Sequence, residues 1–360
     1  MSLYGSVVTA SQLRRLQKGK ERGMKRYLGV DLHRTQFTVC VRQEGQVVEV
    51  RQWRIEELPQ FVVQLNGNDE IAVEAMGTTA RFYDAVVSGV ERVVVVNPHQ
   101  FKVISESVKK TDRGDAEQLA LFLEKGLLPE VRMKEPKQRE LQHLLETRDL
   151  LVKQRSALKA KINNLLAAQG INLKREALSS RKALQRVLAI EASAVVKLEL
   201  RILVEQIEHL NRSVQEVEKL ILEEGEQLPG HKNLTSIKGI GALSATVLLT
   251  AIGPIQDFAD ENKLAAYLGL VPKVQNSNES QRSGGITKRG NKLARTALVQ
   301  CGLVAQRHSP YLKQRYERIK QRRGAGKAKI ALARKLVKIV HDTLKNDWVF
   351  ADFPSFTLAA

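Results

Sequence analysis

Four carboxylates stand out by residue type and spacing. Asp31 sits inside the apolar run YLGVDLH, Glu74 closes the run IAVEA, and Asp112 and Asp115 lie three residues apart in KKTDRGDAEQLA. Alternation along a strand turns Val30 and Leu32 away from Asp31. An acid inside an apolar strand is costly unless it is paired or bound to a cation. At helical spacing Asp112 and Asp115 share one face. Alone, this pair reads as acids complementing the dipole at a helix N-terminus. Taken with Asp31 and Glu74, it completes a set of hard oxygen donors suited to Mg²⁺ or Mn²⁺. Two such ions about 4 Å apart stabilise both the attacking and the leaving oxygen of phosphodiester cleavage. On that reading Asp112 and Asp115 tolerate each other because a metal ion bridges them to Asp31 and Glu74.

The elements that must position these acids are legible from pattern. YLGVDLH, FTVCVRQ and VVEVRQW, separated by turn residues such as Glu44-Gly45, predict a three-strand meander. A helix over 56–65, the strand IAVEA, a helix over 79–87, the strand RVVVVNP and helical segments over 100–107 and 112–125 follow. Together they predict a mixed α/β domain over 27–130. Between 136 and 225 the pattern becomes long helices. Leu144, Leu151, Leu158 and Leu165 recur every seven residues. Val196, Leu200, Leu203, Ile207, Leu210, Val214, Val217 and Ile221 alternate steps of four and three, which is a coiled-coil seam. Breaks at Gly170 and Ser179-Ser180 leave two arrangements open, an antiparallel pair within the chain or pairing with another subunit. EEGEQLPGHKN is a linker by composition. It leads to a mostly helical domain over 231–345 and a tail over 346–360. Within that domain Gly239 and Gly241 separate two helical segments, as in helix-hairpin-helix modules whose backbone amides approach a phosphate. A glycine turn without that role fits the same residues. The polar loop KVQNSNESQRSGGITKRGN then precedes further helices.

Charge points to the partner. Fifty-eight Lys and Arg against 39 Asp and Glu leave +19, and nucleic acid is the polyanion that such an excess favours. The excess is concentrated in a basic extension over 1–26, which carries Arg14, Arg15, Lys18 and Lys20, and again between Lys313 and Lys345. Cys40 and Cys301 are the two cysteines, too far apart in sequence for metal-ligand spacing. That usage fits a reducing cytosol, and with no apolar run near the roughly 20 residues of a membrane span it predicts a cytoplasmic protein without membrane contact.

The order Asp, Glu, Asp-x-x-Asp on this strand pattern resembles the RuvC-like, ribonuclease-H-type nuclease fold. GVDLH, VEAMGTT, VNPHQFK and KKTDRGDAEQLA, followed by SIKGIGALSATVL and GGITKRGN, resemble the insertion-sequence transposases of the Piv-like class over about 27–345. The resemblance implies an α/β RuvC-like domain, then an α-helical coiled-coil arm, then a mostly α-helical C-terminal transposase domain. It implies a serine recombinase of a mobile element that a structured non-coding bridge RNA guides to its DNA. A nucleophilic serine is implied between a GL-x-P stretch, here Gly269–Pro272, and a G-G-I-[ST]-K-x-G stretch, here Gly284–Gly290. The serine in that position is Ser277, within QNSNES where the family often carries Ser-Ser-Gly, and Ser280 and Ser283 lie close by. Arg282, Lys288 and Arg289 are the local cations for the scissile phosphate; binding backbone phosphates elsewhere fits them equally. The implied partners are the element ends, the target DNA and the guide RNA. Paired strand cuts imply a homodimer or homotetramer.

Two other readings use the same residues. One is a metal-dependent, RuvC-like junction-resolving DNA nuclease that uses the acids alone and forms no covalent intermediate. The other is a nucleic-acid-binding protein with a degenerate nuclease fold, which the presence of all four acids disfavours.

Overall fold

Runs rich in β-branched residues pair into a sheet in the first of two units, Met1–Met133 and Lys134–Ala360. In this computed structural model the residues described are 24–98, 100–101, 111–174, 178–277 and 280–359, with 274–283 described by backbone alone. The expected basic extension and the helical segment over 100–107 therefore fall mostly outside the described residues.

Strands β1 (Arg26–Leu32), β2 (Gln36–Gln43) and β3 (Gln46–Arg54) form the antiparallel meander. The short helix α1 (Leu58–Val63) leads to β4 (Asp69–Glu74), α2 (Thr79–Val86), β5 (Arg92–Val96) and α3 (Asp112–Glu124). The sheet order is β3-β2-β1-β4-β5, with β1, β4 and β5 parallel. Arg26 on β1 ties the central parallel pair together, donating from Nε and Nη2 to the fully buried Asp69 at 2.8 and 2.7 Å.

The two faces of the sheet are chemically different. Leu28, Val30, Leu32, Val39, Val41, Ile71 and Val73 face one core, where Phe37 meets Phe61 and Phe82 edge to face at 5.3 and 5.6 Å. The opposite face carries Gly29, Cys40 and Ala72, and α3 lies on it through Ala116, Leu119, Ala120 and Leu123. These residues are small where the helix crosses β1, so the two backbones come unusually close. A Cβ added at Gly29 would stand 2.1 Å from the Ala116 carbonyl oxygen and 2.3 Å from the Ala120 nitrogen.

In the second unit, α4 (Pro136–Ala167), α5 (Arg181–Leu188) and α6 (Ala194–Glu226) form the arm. Arg148 bonds Glu218 and Arg155 bonds Asn211, which makes α4 and α6 an antiparallel pair within one chain. That resolves the two arrangements left open by the sequence. Leu200, Ile207, Val214 and Ile221 of the seam are buried, whereas Leu203, Leu210 and Val217 are half-buried. On α4 the expected seam is displaced. Leu141, Leu145, Ile162 and Leu166 are buried, while Leu144, Leu151, Leu158 and Leu165 are half-buried. A straight helix of 3.6 residues per turn drifts off a strict seven-residue repeat, so different positions face the partner along its length.

The remaining elements pack on a second core. They are α7 (His231–Thr235), α8 (Ala242–Ile252), α9 (Glu261–Tyr267), β6 (Pro272–Ser277), β7 (Ser280–Ile286), α10 (Lys292–His308) and α11 (Pro310–Lys345). A small hairpin, β8 (Phe350–Asp352) and β9 (Thr357–Leu358), ends the chain. The run KVQNSNESQRSGGI is thus a two-stranded hairpin rather than the loop that its polarity suggests. Helix α11 is broken at Gly324, where φ is 81°. No helix among the described residues is long and apolar enough to cross a membrane.

Gly29→Ala is expected to force α3 off β1 at a cost of about 1–3 kcal/mol. A lowered urea midpoint with an unchanged m-value is the expected readout, and an unshifted midpoint would show that the contact is looser than described.

Candidate active site

The close approach at Gly29 carries the candidate chemistry. Asp31 follows Gly29 by two residues and so projects from the same face of β1. Asp112 precedes Ala116 by one helical turn, so α3 brings it down beside Asp31. The start of α3 is fixed locally: the Thr111 hydroxyl accepts from the Gly114 amide at 3.1 Å, and the Asp115 amide donates to the Thr111 carbonyl at 2.9 Å. Asp112 and Asp115 therefore lie in the first turn, where the helix dipole favours negative charge.

Asp31, Asp112 and His33 converge. Each offers one ligand atom, and these atoms all lie within 4.8 Å of one another. His33 Nε2 stands 3.2 Å from Asp31 Oδ2 and 3.5 Å from Asp112 Oδ1, in the space between two anions. Gln36 Nε2 lies 3.5 Å from the other Asp112 oxygen. The donor set of two carboxylates and an imidazole fits a divalent cation, with the nitrogen suiting Mn²⁺ better than Mg²⁺.

Glu74 and Asp115 are placed by the same elements but do not belong to that close group. Val30 pairs with Val73 across the parallel strands, which sets Glu74 at the end of β4 beside Asp31. The turn after Glu74 is tied by Thr79, whose hydroxyl donates to the Glu74 carbonyl at 2.6 Å and accepts from the Met76 amide at 3.0 Å. Asp115 is buried next to Ala116, with 6% of its surface exposed. Sequence reasoning missed His33. Its signal was the spacing Asp-x-His at a strand end, which puts both side chains on one side.

Neither cysteine competes as a nucleophile. Burial pushes the Cys40 thiol up to about 11 and raises that of Cys301 as well.

The serine segment lies at the tip of the β6–β7 hairpin. Ser277 and Ser280 are its last paired residues, and Val274 pairs with Ser283. The side chains of Ser277, Ser280, Arg282 and Ser283 fall outside the described residues. The base of the hairpin is clasped tightly. The Thr287 amide donates to the Val271 carbonyl at 2.8 Å and the Lys288 amide to the Gly269 carbonyl at 3.2 Å. Gly269 and Gly290 both have positive φ, and a Cβ at either would stand about 2 Å from a carbonyl oxygen, that of Arg289 or Tyr267. Arg295 adds a bond from Nη1 to the Leu268 carbonyl at 2.9 Å. The side chains of Lys288 and Arg289 are exposed at this base, and Lys288 holds a left-handed backbone with φ 56°.

The two glycines assigned to a phosphate turn differ. The Cβ position of Gly239 is filled by the α10 backbone, 2.6 Å from the Ala305 nitrogen, so packing accounts for this glycine. Gly241 caps α8 in open space.

Residues 28–169 match the DEDD transposase model of IS110 elements, and residues 231–317 match the model described as Transposase IS116/IS110/IS902 family. The chain is 29% identical over 337 residues to the transposase for insertion sequence element IS1111A of Coxiella burnetii, covering 90% of this chain and 91% of that one. It is 27% identical to a probable family 20 transposase of Pseudomonas aeruginosa, over 89% and 93% of the two chains. With the transposase for insertion sequence element IS1328 of Yersinia enterocolitica it shares 24% identity, over 79% and 85%. The first unit is thereby identified as a ribonuclease-H-like DEDD domain, a type that uses divalent metal, followed by a largely helical region.

Asp31→Asn and Asp112→Asn are each expected to weaken Mn²⁺ binding about ten-fold or more, measured by titration calorimetry on the folded protein. Undiminished affinity in both variants would remove these residues from the ligand set.

Proposed function

From the premise that the chain belongs to the IS110/IS1111 transposase family and is an enzyme acting on DNA, we propose that it is a serine recombinase assisted by a divalent-metal carboxylate centre. The convergence of Asp31 and Asp112 is the observation that carries the reading, because two anions held this close form a cation site. Asp31, His33 and Asp112 would hold the ion, with Glu74 and Asp115 as the further acids of the set. A divalent ion bound there supplies charge neutralisation at a phosphate and polarises its oxygens.

Ser277 acts as the nucleophile. Its Oγ attacks the phosphorus, the bond to the leaving sugar oxygen breaks, and the serine proton ends on that oxygen. The product is a phosphoserine ester that conserves bond energy for rejoining. A hairpin tip suits this step, since the hydroxyl must reach a phosphate in a duplex groove while its base stays rigid. The clasp between 269–271 and 287–290 supports that rigidity. Lys288 and Arg289, exposed at the base, serve as phosphate contacts, with Arg282 and Gly241 as further nucleic-acid contacts. The excess of +19 supports a structured guide RNA alongside DNA, and recombination between two sites calls for a homodimer or homotetramer.

A junction-resolving nuclease is the second reading, because the Asp31–His33–Asp112 group forms entirely within the first unit. The two readings separate on the covalent intermediate. Ser277→Ala is expected to abolish a denaturant-resistant protein–DNA adduct and to lower recombination about a thousand-fold or more. Adduct that persists in this variant would move the nucleophile to Ser280 or Ser283. Metal-dependent cleavage that proceeds without any adduct would establish the nuclease instead.

A further inference from the structure

The end of the chain builds an aromatic cleft on the basic helix. Because α11 is broken at Gly324, its second half returns beside its first, and Lys335 Nζ comes to 5.2 Å from the ring centroid of Tyr311. The β8–β9 hairpin then lays Phe356 edge-on to Tyr311 at 6.1 Å, with Trp348 on the approach to it. The result is a cleft of about 290 Å³ whose aromatic walls remain open to solvent. Tyr311 is 44% exposed, Trp348 36% and Phe356 41%. Large aromatic side chains are normally covered, and three exposed around one concavity mark a surface that something else covers.

Two observations indicate what covers it. The first is charge. The Tyr311 phenol is held below its ordinary range by its hydrogen bond to Lys335 and by the nearby Arg315 and Arg318. The one acid of the lining, Asp342, is paired with Lys338 at 3.3 Å, which also meets Glu261 at 3.3 Å, so the cationic charge beside the aromatic wall is that of Lys335. The second is backbone strain. Phe356 closes the hairpin turn with φ 55°, a left-handed conformation that a bulky residue adopts only under constraint and that glycine would adopt freely. Retaining a half-exposed ring at such a position keeps an aromatic face at the cleft. Trp348 and Phe356 also lie beyond the segments that match the family models.

We propose that this cleft is a stacking platform for unpaired bases of single-stranded DNA, with Tyr311, Trp348 and Phe356 against the bases and Lys335, Arg315 and Arg318 at the phosphates. Exposed aromatic faces combined with cations are the physical requirement for holding a strand without reading its sequence, since every base offers a π-face. Strand exchange produces unpaired DNA, and a platform on the transposase would retain it. The inference rests on the proposed recombination of DNA, but not on the identity of the nucleophile.

The test uses the full chain carrying Trp53→Phe. Trp53 is the other tryptophan and is buried, at 4% exposure, so the remaining fluorescence reports Trp348. Titration with oligothymidylate is expected to quench that fluorescence saturably. Trp348→Ala, in the otherwise natural chain, and Phe356→Gly are each expected to weaken binding of labelled oligothymidylate about ten-fold by anisotropy. Phe356→Gly is the more diagnostic variant, because glycine suits the local φ and the hairpin fold is retained; circular dichroism verifies this. Unquenched fluorescence, or unchanged affinity in both variants, would overturn the proposal. Tighter binding of oligouridylate or of duplex DNA than of oligothymidylate would overturn the assignment to single-stranded DNA. The adduct assay on duplex substrate, run in parallel on Trp348→Ala, separates the two levels. In the parent chain, adduct without oligothymidylate binding sinks the platform alone, whereas loss of adduct sinks the recombinase reading.

Discussion

One close backbone contact underlies the first unit. With no side chain at Gly29 and small ones at Cys40, Ala116 and Ala120, α3 settles directly on β1. The N-terminal turn of α3 then reaches Asp31, and a pair of anions meets where looser packing would leave them apart. Everything else in the unit serves this geometry. The aromatic cluster anchors the opposite face of the sheet, the Arg26–Asp69 pair locks the parallel register that sets Glu74 beside Asp31, and the Thr111 cap fixes where α3 begins. The His33 ring stands between the two carboxylates, 3.2 Å from Asp31 Oδ2 and 3.5 Å from Asp112 Oδ1. An imidazole in that place marks the position that a divalent ion would share or claim.

The second unit meets a different requirement with similar means. The β6–β7 hairpin is held at its base, where the chain segments on either side of it are clasped together. Gly269 and Gly290 allow two chain segments to cross at near-contact distance, and amide bonds from Thr287 and Lys288 close the clasp. In both units glycine acts by permitting approach rather than by flexibility. The same holds for Gly239, which lets α10 pass.

Much of the first unit was legible in the sequence because its signals are local. Alternation in YLGVDLH and FTVCVRQ gives strands, and the acid pair Asp112 and Asp115 gives a helix start, so the element order and the meeting of Asp31 with Asp112 could be anticipated. His33 was not anticipated, since an Asp-x-His spacing becomes meaningful only once a second carboxylate arrives from elsewhere in the chain. The β6–β7 hairpin was read as a loop because its residues are polar on both faces and lack the alternation that marks a half-buried strand. At Gly239 the sequence shows a missing side chain but not that the α10 backbone fills the space. On the arm, the seven-residue repeat was real, but the position of maximum burial along α4 depends on the crossing with α6, which no single helix encodes.

Close packing at Gly29 brings Asp31, His33 and Asp112 together as ligands that would hold one divalent ion. Anomalous diffraction at the manganese edge, from crystals grown with Mn²⁺, addresses this most directly. A peak is expected within coordination distance of one oxygen from each aspartate and of His33 Nε2. A peak elsewhere on the chain, or none at full Mn²⁺ saturation, would contradict it.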